Sequence, residues 1–161
     1  MLNNYLQILE DSLDKKIIIL DQIKEHEDAI DELLKKAEQT PDELDAIDKL
    51  IDTKTECADE LEKLDEGFQS VYDHIREELL PNKDEYKDQI QSIQSKIRIV
   101  MDKSTSIQAR EERQKKAIEN SIFKNRTATA NSRRSVRALK GYIQQGQTIL
   151  GAESNYLDTK K

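Results

Sequence analysis

The fold is decided by residues 40–80, which have the sequence TPDELDAIDKLIDTKTECADELEKLDEGFQSVYDHIREELL. The beginning of a helix is well marked here, because Thr40 can cap it, Pro41 suits the first helical position and Glu43 completes a capping box. Apolar residues then recur at spacings of three and four, which is the period of an amphipathic helix. They form two neighbouring rows: Leu44, Ile47, Ile51, Ala58, Leu61, Phe68, Tyr72, Ile75 and Leu79 in one, and Leu50, Cys57, Leu64 and Val71 in the other.

The stripe covers about three-sevenths of the helix surface, which is more than a two-stranded coiled coil uses. It predicts a helix of about 40 residues, on the order of 60 Å long, that packs between two neighbouring helices. Lys54 and Asp65 interrupt the stripe with charge. The helix should end or kink at Pro81, because proline cannot donate a backbone hydrogen bond.

A second long helix is predicted before this one, from about residue 3 to about residue 38, where apolar residues follow a heptad pattern. Its a and d positions are Leu6, Leu9, Leu13, Lys16, Leu20, Ile23, Glu27, Ile30, Leu34 and Ala37. Lys16 and Glu27 are charged interruptions of the pattern, and Ile18 is expected to point outward. Because the link to Thr40 is very short, the two helices should be antiparallel neighbours.

A third helix is predicted after Pro81, since Asn82 could cap it and Glu85 could close a second capping box. The alternative is one continuous helix with a kink at Pro81. Apolar residues at helical spacing are clear as far as Met101 and sparse between residues 104 and 114, and the helix should end near residue 125. Three helices of similar length predict an all-α fold, a long antiparallel three-helix coiled coil or bundle with a weakly structured, amphipathic C-terminal segment.

The composition favours helices and a cytoplasmic location. Charged residues make up 37% of the 161 residues and aromatic residues 4%, which is typical of long helices rather than sheets. The longest apolar run, residues 17–20, is far shorter than the roughly 20 residues of a membrane span, so no span is expected. The first residues lack the features of a signal peptide. An unpaired thiol on the buried stripe, Cys57, also suits a cytoplasmic protein.

The pattern changes at Arg126, which predicts a boundary between a three-helix coiled-coil domain, residues 1–125, and a flexible basic tail, residues 126–161. Residues 127–132 have low helix preference, and glycines at positions 141, 146 and 151 weaken any helix near them. A small apolar set remains, flanked by Arg and Lys, which suits a segment that folds on a partner. The predicted partner-binding residues are Val136, Leu139, Tyr142, Ile143, Ile149 and Leu150.

Charge is distributed unevenly along the chain. Residues 1–90 carry 27 acidic and 11 basic side chains, and residues 91–161 carry 6 acidic and 15 basic ones. The acidic part should therefore pack against the more basic remainder. Nucleic acid is not an expected partner, because the acidic part would repel a polyanion.

No motif for catalysis, a cofactor or a metal ion is present in the sequence. His26 and His74 lack the Glu-x-x-His spacing of a di-iron site in a helical bundle. There is also no Cys-x-x-Cys pair, phosphate-binding glycine loop or nucleophile elbow. The sequence therefore predicts a protein that is not an enzyme and that needs no cofactor.

The chain resembles the FlgN-type flagellar export chaperones of bacteria. The resemblance rests on the long acidic helices, on Ile47-Asp-Lys-Leu-Ile-Asp-Thr-Lys54 and Leu64-Asp-Glu-Gly-Phe68, and on the final Tyr156-Leu-Asp-Thr-Lys-Lys161. It implies a cytoplasmic, non-enzymatic chaperone that binds hook–filament junction (hook-associated) proteins before their type III export. It also implies that the client contacts the amphipathic C-terminal segment, although the glycines there depart from a rigid binding helix.

Two alternatives fit the same heptad pattern. One is a structural or scaffolding coiled-coil protein without a client, and the other is a related export chaperone of the FliT type. The identity of the client and the oligomeric state, including a homodimer, are left open, because a chaperone and a scaffold need the same heptads.

Overall fold

The computed structural model describes residues 2–124 and 130–144, and helices account for nearly all of them. In chain order they are α1 (Leu2–Leu34), α2 (Pro41–Leu79), a short 3₁₀ turn (Leu80–Asn82), α3 (Lys87–Lys124) and α4 (Ala130–Gln144). The all-α prediction is confirmed, and this described part of the chain contains no strand. It contains one helix more than the three that the sequence predicted, since residues 130–144 form α4.

The helices alternate in direction along the bundle. α1 and α2 are joined by a short link and run antiparallel. α3 runs parallel to α1, because Gln89 contacts Asn3 near one end and Arg110 contacts Asp28 near the other. α1 packs against both α2 and α3, and α4 also packs against these two helices. α1 and α4 therefore each bridge α2 and α3.

The predicted start of α2 is confirmed. The Glu43 backbone N–H donates a hydrogen bond to the Thr40 hydroxyl at 3.2 Å, and the Thr40 backbone N–H donates to the Glu43 carboxylate at 2.9 Å. Pro41 occupies the first turn, as expected. The capping box satisfies donors that the first turn of a helix otherwise leaves unpaired.

The end of α1 differs from the prediction. α1 ends at Leu34 rather than near residue 38, and Ala37, which was predicted to lie in the core, is exposed. The Gln39 side-chain amide donates to the carbonyl oxygens of Leu33 and Lys36 at 3.1 and 2.9 Å. These bonds satisfy acceptors that the end of a helix leaves unpaired, so local bonding ends α1 before the heptad pattern does.

The chain breaks at Pro81, as expected, but the predicted capping box after it is wrong. α2 ends at Leu79 and α3 begins only at Lys87. The Asn82 side-chain amide donates to the Glu78 carbonyl oxygen at 2.8 Å, so it closes α2 and does not cap α3. An Asn that follows a helix can bond the last carbonyl groups as readily as it can cap the next helix.

Two apolar clusters form the core of the described chain, one toward each end of the bundle. The three-helix core is built from residues 2–23 of α1, 57–79 of α2 and 93–107 of α3. The four-helix core includes α4 and consists of Ile30, Leu44, Ile47, Ile51, Ile118, Ile122 and Leu139, with half-buried neighbours around them. The stripe predicted from residues 40–80 therefore lies inside, and Ile18 is 58% exposed, as expected.

A row of ion pairs ties α1 to α3 along the surface. Its basic residues are spaced seven apart on α3, which is one heptad, or about two helical turns, per step. The pairs are Lys96 with Glu10 and Asp14, Lys103 with Asp21, and Arg110 with Asp28 and Asp31. Exposed pairs of this kind contribute at most about 1 kcal/mol each, so they orient the helices more than they stabilise them.

Phe68→Ala should lower the free energy of unfolding by about 3–5 kcal/mol, because the ring is 1% exposed and its removal leaves a cavity. Phe123, the other Phe of the chain, is a matched control, since it is 75% exposed and Phe123→Ala should cost no more than about 0.5 kcal/mol. Urea unfolding followed by circular dichroism measures both changes. Equal unfolding midpoints for Phe68→Ala and the wild type would contradict the position of Phe68 in the three-helix core.

Candidate functional site

The candidate site is the apolar face of α4 together with the surface of α2 and α3 that it covers. Four of the six predicted partner-binding residues lie on this face: Val136, Leu139, Tyr142 and Ile143. Leu139 is fully buried and the other three are half-buried, so the structure brings these four together against the bundle. Ile149 and Leu150 lie outside the described residues. A contact of these residues with a partner stays a prediction.

This arrangement differs from the expected tail that folds only on a partner. α4 is a helix without a partner chain, because α2 and α3 offer it an apolar surface that the sequence did not reveal. Ile118 and Ile122 supply the α3 side of that surface, and Leu44 and Ile47 supply the α2 side. The predicted boundary at residue 125 falls among residues 125–129, which lie outside the described residues.

The opposite face of α4 is basic and exposed. It carries Arg134, Arg137 and Lys140. At the border between the two faces, the buried Ser135 hydroxyl donates a hydrogen bond to the Asp45 carboxylate of α2 at 2.8 Å. This bond is the main reason why the pKa of Asp45 lies below its ordinary value. α4 is therefore amphipathic, and a polar contact fixes its rotation on α2.

A layer of buried charge separates the two cores. Glu27 of α1, Lys54 of α2 and Glu111 of α3 are each no more than 1% exposed, and we call these three residues the buried charge layer. Lys54 Nζ lies 3.3 Å from Glu27 Oε2 and 3.7 Å from Glu111 Oε2, so one ammonium group faces two carboxylates. Gln114 donates to the Glu27 backbone carbonyl at 2.9 Å and to the Asp31 carboxylate at 2.7 Å.

α4 reaches the buried charge layer through Tyr142. The Tyr142 hydroxyl is hydrogen-bonded to the Glu111 carboxylate. Burial, followed by the negative charge of Glu111, raises the pKa of Tyr142 far above its ordinary value, so the hydroxyl keeps its proton and is the donor. The Lys115 ammonium lies 4.8 Å from the centroid of the Tyr142 ring, a cation–π contact that is stronger away from water. Each of the four helices thus contributes a polar side chain at this level.

Burial changes the acid–base behaviour of the layer. It raises the pKa of Glu27 from its ordinary 4.5 to about 7, against the opposing attraction of Lys54. A carboxyl group loses hydration when it is buried, which disfavours its charged form. Near neutral pH, Glu27 is therefore divided between its ionised and its protonated form.

A second charged pair lies at the edge of the three-helix core. Lys16 of α1, which is 7% exposed, forms a salt bridge with Asp65 of α2, whose side chain is 35% exposed. Lys16 and Glu27 are eleven residues apart on α1, and Lys54 and Asp65 are eleven residues apart on α2. Because the two helices run antiparallel, Lys16 meets Asp65 and Lys54 meets Glu27 in the same register. Both ion pairs therefore require the same alignment of α1 with α2.

The sequence shows these charges but does not show how they pair. They stand at predicted core positions as four interruptions: Lys16, Glu27, Lys54 and Asp65. A search for opposite charges at equal separations on two antiparallel helices could have found the pairs. Glu111 carries no such signal, because it lies in the polar stretch between residues 104 and 114, where the apolar pattern is sparse.

Lys54→Met should lower the free energy of unfolding by about 3–5 kcal/mol near neutral pH, because it leaves two buried carboxyl groups without their ammonium partner. Lys49→Met is a matched control on the same helix. The Lys49 side chain is 77% exposed in its pair with Asp45, so its replacement should cost no more than about 0.5 kcal/mol. Urea unfolding of both variants in one buffer gives the comparison. A Lys54→Met midpoint as close to wild type as that of Lys49→Met would mean that Lys54 is not buried between two carboxyl groups.

In residues 2–124 and 130–144, no helix is long and apolar enough to cross a membrane. In the same residues, no group of three or more His, Cys, Asp or Glu side chains is arranged to hold a metal ion. Comparison with protein-family models, with curated proteins and with solved structures found no match.

Proposed function

We propose that this protein is a cytoplasmic, non-enzymatic export chaperone that binds a flagellar hook-associated protein before type III export. The observation that carries the proposal is α4, a short amphipathic helix that rests on an apolar surface of a longer bundle. Such a surface suits the amphipathic helix of a client. The class of client comes from the resemblance to FlgN-type chaperones.

The apolar face of α4 has the spacing used when a helix binds in a groove. Val136, Leu139 and Ile143 stand at positions i, i+3 and i+7. A client helix with apolar residues at the same spacing could replace α4 on the surface around Ile47 and Ile118. Alternatively, α4 could leave that surface and pair with the client itself.

Client binding and docking of α4 exclude one another in both arrangements. The apolar face of α4 cannot touch a client while Leu139 is buried against the bundle. α4 has 15 residues, which is too few for a stable helix in isolation, so its helical form depends on packing against another surface. An exchange of one apolar partner for another keeps that surface away from water, so it involves little net loss of apolar burial.

The competing function is a scaffold without a client. It would need an apolar surface for a second chain, and the most exposed apolar residues of α1 are Ile8 and Ile18, at 49% and 58%. They are ten residues apart, about 15 Å along the helix axis, so they do not form one continuous patch. Isolated exposed apolar residues are common on protein surfaces and do not favour a scaffold.

Ile143→Asp should abolish client capture if α4 itself binds the client, and should strengthen capture if the client takes the surface beneath α4, while most of the helical signal remains in both cases. It places a charge at the half-buried edge of the α4 face, where burial of an aliphatic side chain contributes about 1.5–3 kcal/mol. Ile18→Asp is the matched control, because it introduces the same charge at an exposed position of α1 and should bind as the wild type does. Co-purification from the native host with mass spectrometry identifies the client, and calorimetric titration then gives its affinity for each variant.

The outcomes separate the candidate functions. The proposed chaperone is supported if the wild type and Ile18→Asp retain a flagellar hook-associated protein and Ile143→Asp loses it. A different flagellar client would favour the FliT type. Normal capture by Ile143→Asp contradicts the role of α4, and absence of any retained protein favours the scaffold. A chain truncated after Gln144 separates α4 from Ile149 and Leu150, and it should keep the client if α4 is the contact.

A further inference from the structure

We propose that the surface where α1 meets α3 binds a second copy of this chain, and that the two copies form a weak dimer about a two-fold axis parallel to the bundle. We call this surface the α1–α3 face, and it consists of residues 10–31 of α1 and residues 92–110 of α3. α4 covers a different side of α3, that of Ile118 and Ile122. The dimer therefore does not rest on the proposed function.

Two ion pairs fix how α1 and α3 align at this face. The Lys96 ammonium lies 2.9 Å from an Asp14 carboxylate oxygen, and the Lys103 ammonium lies 2.6 Å from one of Asp21. Both pairs join residues that are 82 positions apart, so each residue of α1 here lies level with the residue 82 positions later on α3. The two pairs are about 10 Å apart along the bundle, because seven residues separate them on each helix.

Three isoleucines lie between these two ion pairs. Ile17 on α1 and Ile99 on α3 each come three residues after the first pair and four before the second, so they lie level with each other and on the side of the pairs. Ile18 is the next residue of α1. Ile99 is 44% exposed and Ile18 is 58% exposed, whereas Ile17 is half-buried against the three-helix core. Apolar surface therefore extends across both helices at one height, although on α1 alone Ile18 is isolated.

The α1–α3 face is acidic on one helix and basic on the other. Residues 10–31 of α1 carry eight acidic and three basic side chains, and residues 92–110 of α3 carry four basic and one acidic. Pairing within the chain leaves part of these groups in contact with water, since the side chains of Asp14 and Asp21 are 51% exposed and that of Lys103 is 34% exposed. A partner that fits this face must be basic opposite α1 and acidic opposite α3.

A second copy of the chain has this distribution of charge. A rotation of 180° about an axis that runs between the copies, parallel to the bundle, keeps every residue at its height and places α1 of each copy opposite α3 of the other. The acidic helix then faces the basic helix twice, and Ile18 of each copy lies opposite Ile99 of the other. An axis perpendicular to the helices would set α1 against α1, which brings like charges together.

The size of the face indicates a weak dimer that closes on itself. It is about 32 Å long and about two helix diameters, or 20 Å, wide. Its area on each copy is therefore on the order of 600 Å², which is less than the roughly 800 Å² per partner of a standard interface. Because each copy has one such face, two copies cover both faces and no longer assembly forms. The dimer thus differs from an extended scaffold.

Sedimentation equilibrium of the full chain at low ionic strength tests the proposal. The wild type should pass from monomer to dimer between about 1 µM and about 500 µM, and added salt should weaken the association. Ile99→Asp should raise the Kd of the dimer at least about tenfold, because it places a charge among the isoleucines of the interface.

Met101→Asp is the matched control for Ile99→Asp. Met101 is 39% exposed on the same helix, but it is two residues from Ile99 and therefore about 200° away around the helix axis. It points away from the α1–α3 face, so the Kd should change less than about twofold. Circular dichroism checks that both variants keep the helical content of the wild type.

Cysteine cross-linking tests how the two copies are oriented. A mixture of Ile18→Cys and Ile99→Cys chains, mildly oxidised, should form covalent dimers at least about fivefold faster than either chain alone, because α1 faces α3 in the dimer. Cys57 is common to both chains and is buried. This experiment keeps the proposal testable if Ile99→Asp does not fold.

Three results would overturn the proposal. The first is a wild type that remains monomeric at about 500 µM; if Ile99→Asp then also loses the client, the face binds the client and not a second copy. The second is a dimer whose Kd is the same in Ile99→Asp as in Met101→Asp. The third is faster cross-linking of Ile18→Cys alone than of the mixture, since that would place α1 against α1.

Discussion

The structure depends on the way α1 and α2 pair four charged side chains along an otherwise apolar interface, where Lys16, Glu27 and Lys54 are buried and Asp65 is half-buried. Removal of one partner from a buried ion pair costs about 3–5 kcal/mol, because the remaining charge is left inside the protein without compensation. The apolar heptads alone tolerate a slip of seven residues, because every a and d position stays apolar. The charged residues do not tolerate this slip, because it would set Glu27 opposite Ile47 or Leu61 in place of Lys54. The pairs Lys16–Asp65 and Glu27–Lys54 thus select one alignment of the hairpin.

Glu27 and Lys54, together with Glu111, also divide the apolar core of the described chain into two parts. The three-helix core lies on one side of the buried charge layer and the four-helix core on the other. A polar layer contributes less burial than apolar residues of the same volume would, so it is a natural limit for cooperative packing. α4 belongs to one half only, and it can leave without disturbing the contacts of Phe68 in the other.

The sequence predicted the elements of the fold better than it predicted their contacts. The capping box at Thr40 and the stripe through Phe68 are local or periodic signals, and both could be identified without a structure. The pairing of Glu27 with Lys54 could not, because it depends on which helices become neighbours. The docking of α4 was missed for a related reason, since the apolar set around Leu139 was assigned to a partner as long as its surface on α2 and α3 was unknown. Both features depend on contacts between residues that are far apart in the sequence.

A client that uses the surface under α4 must compete with α4, so its apparent affinity falls by the fraction of chains in which that surface is free. α4 is held on that surface by the apolar contacts of Leu139 and by the contact of Tyr142 with Glu111. A layer of well-packed apolar residues would stabilise the bundle at least as well. Retention of carboxyl groups around Lys54 therefore sacrifices some stability, and what it provides, together with the pair Lys16–Asp65, is a single register for the hairpin.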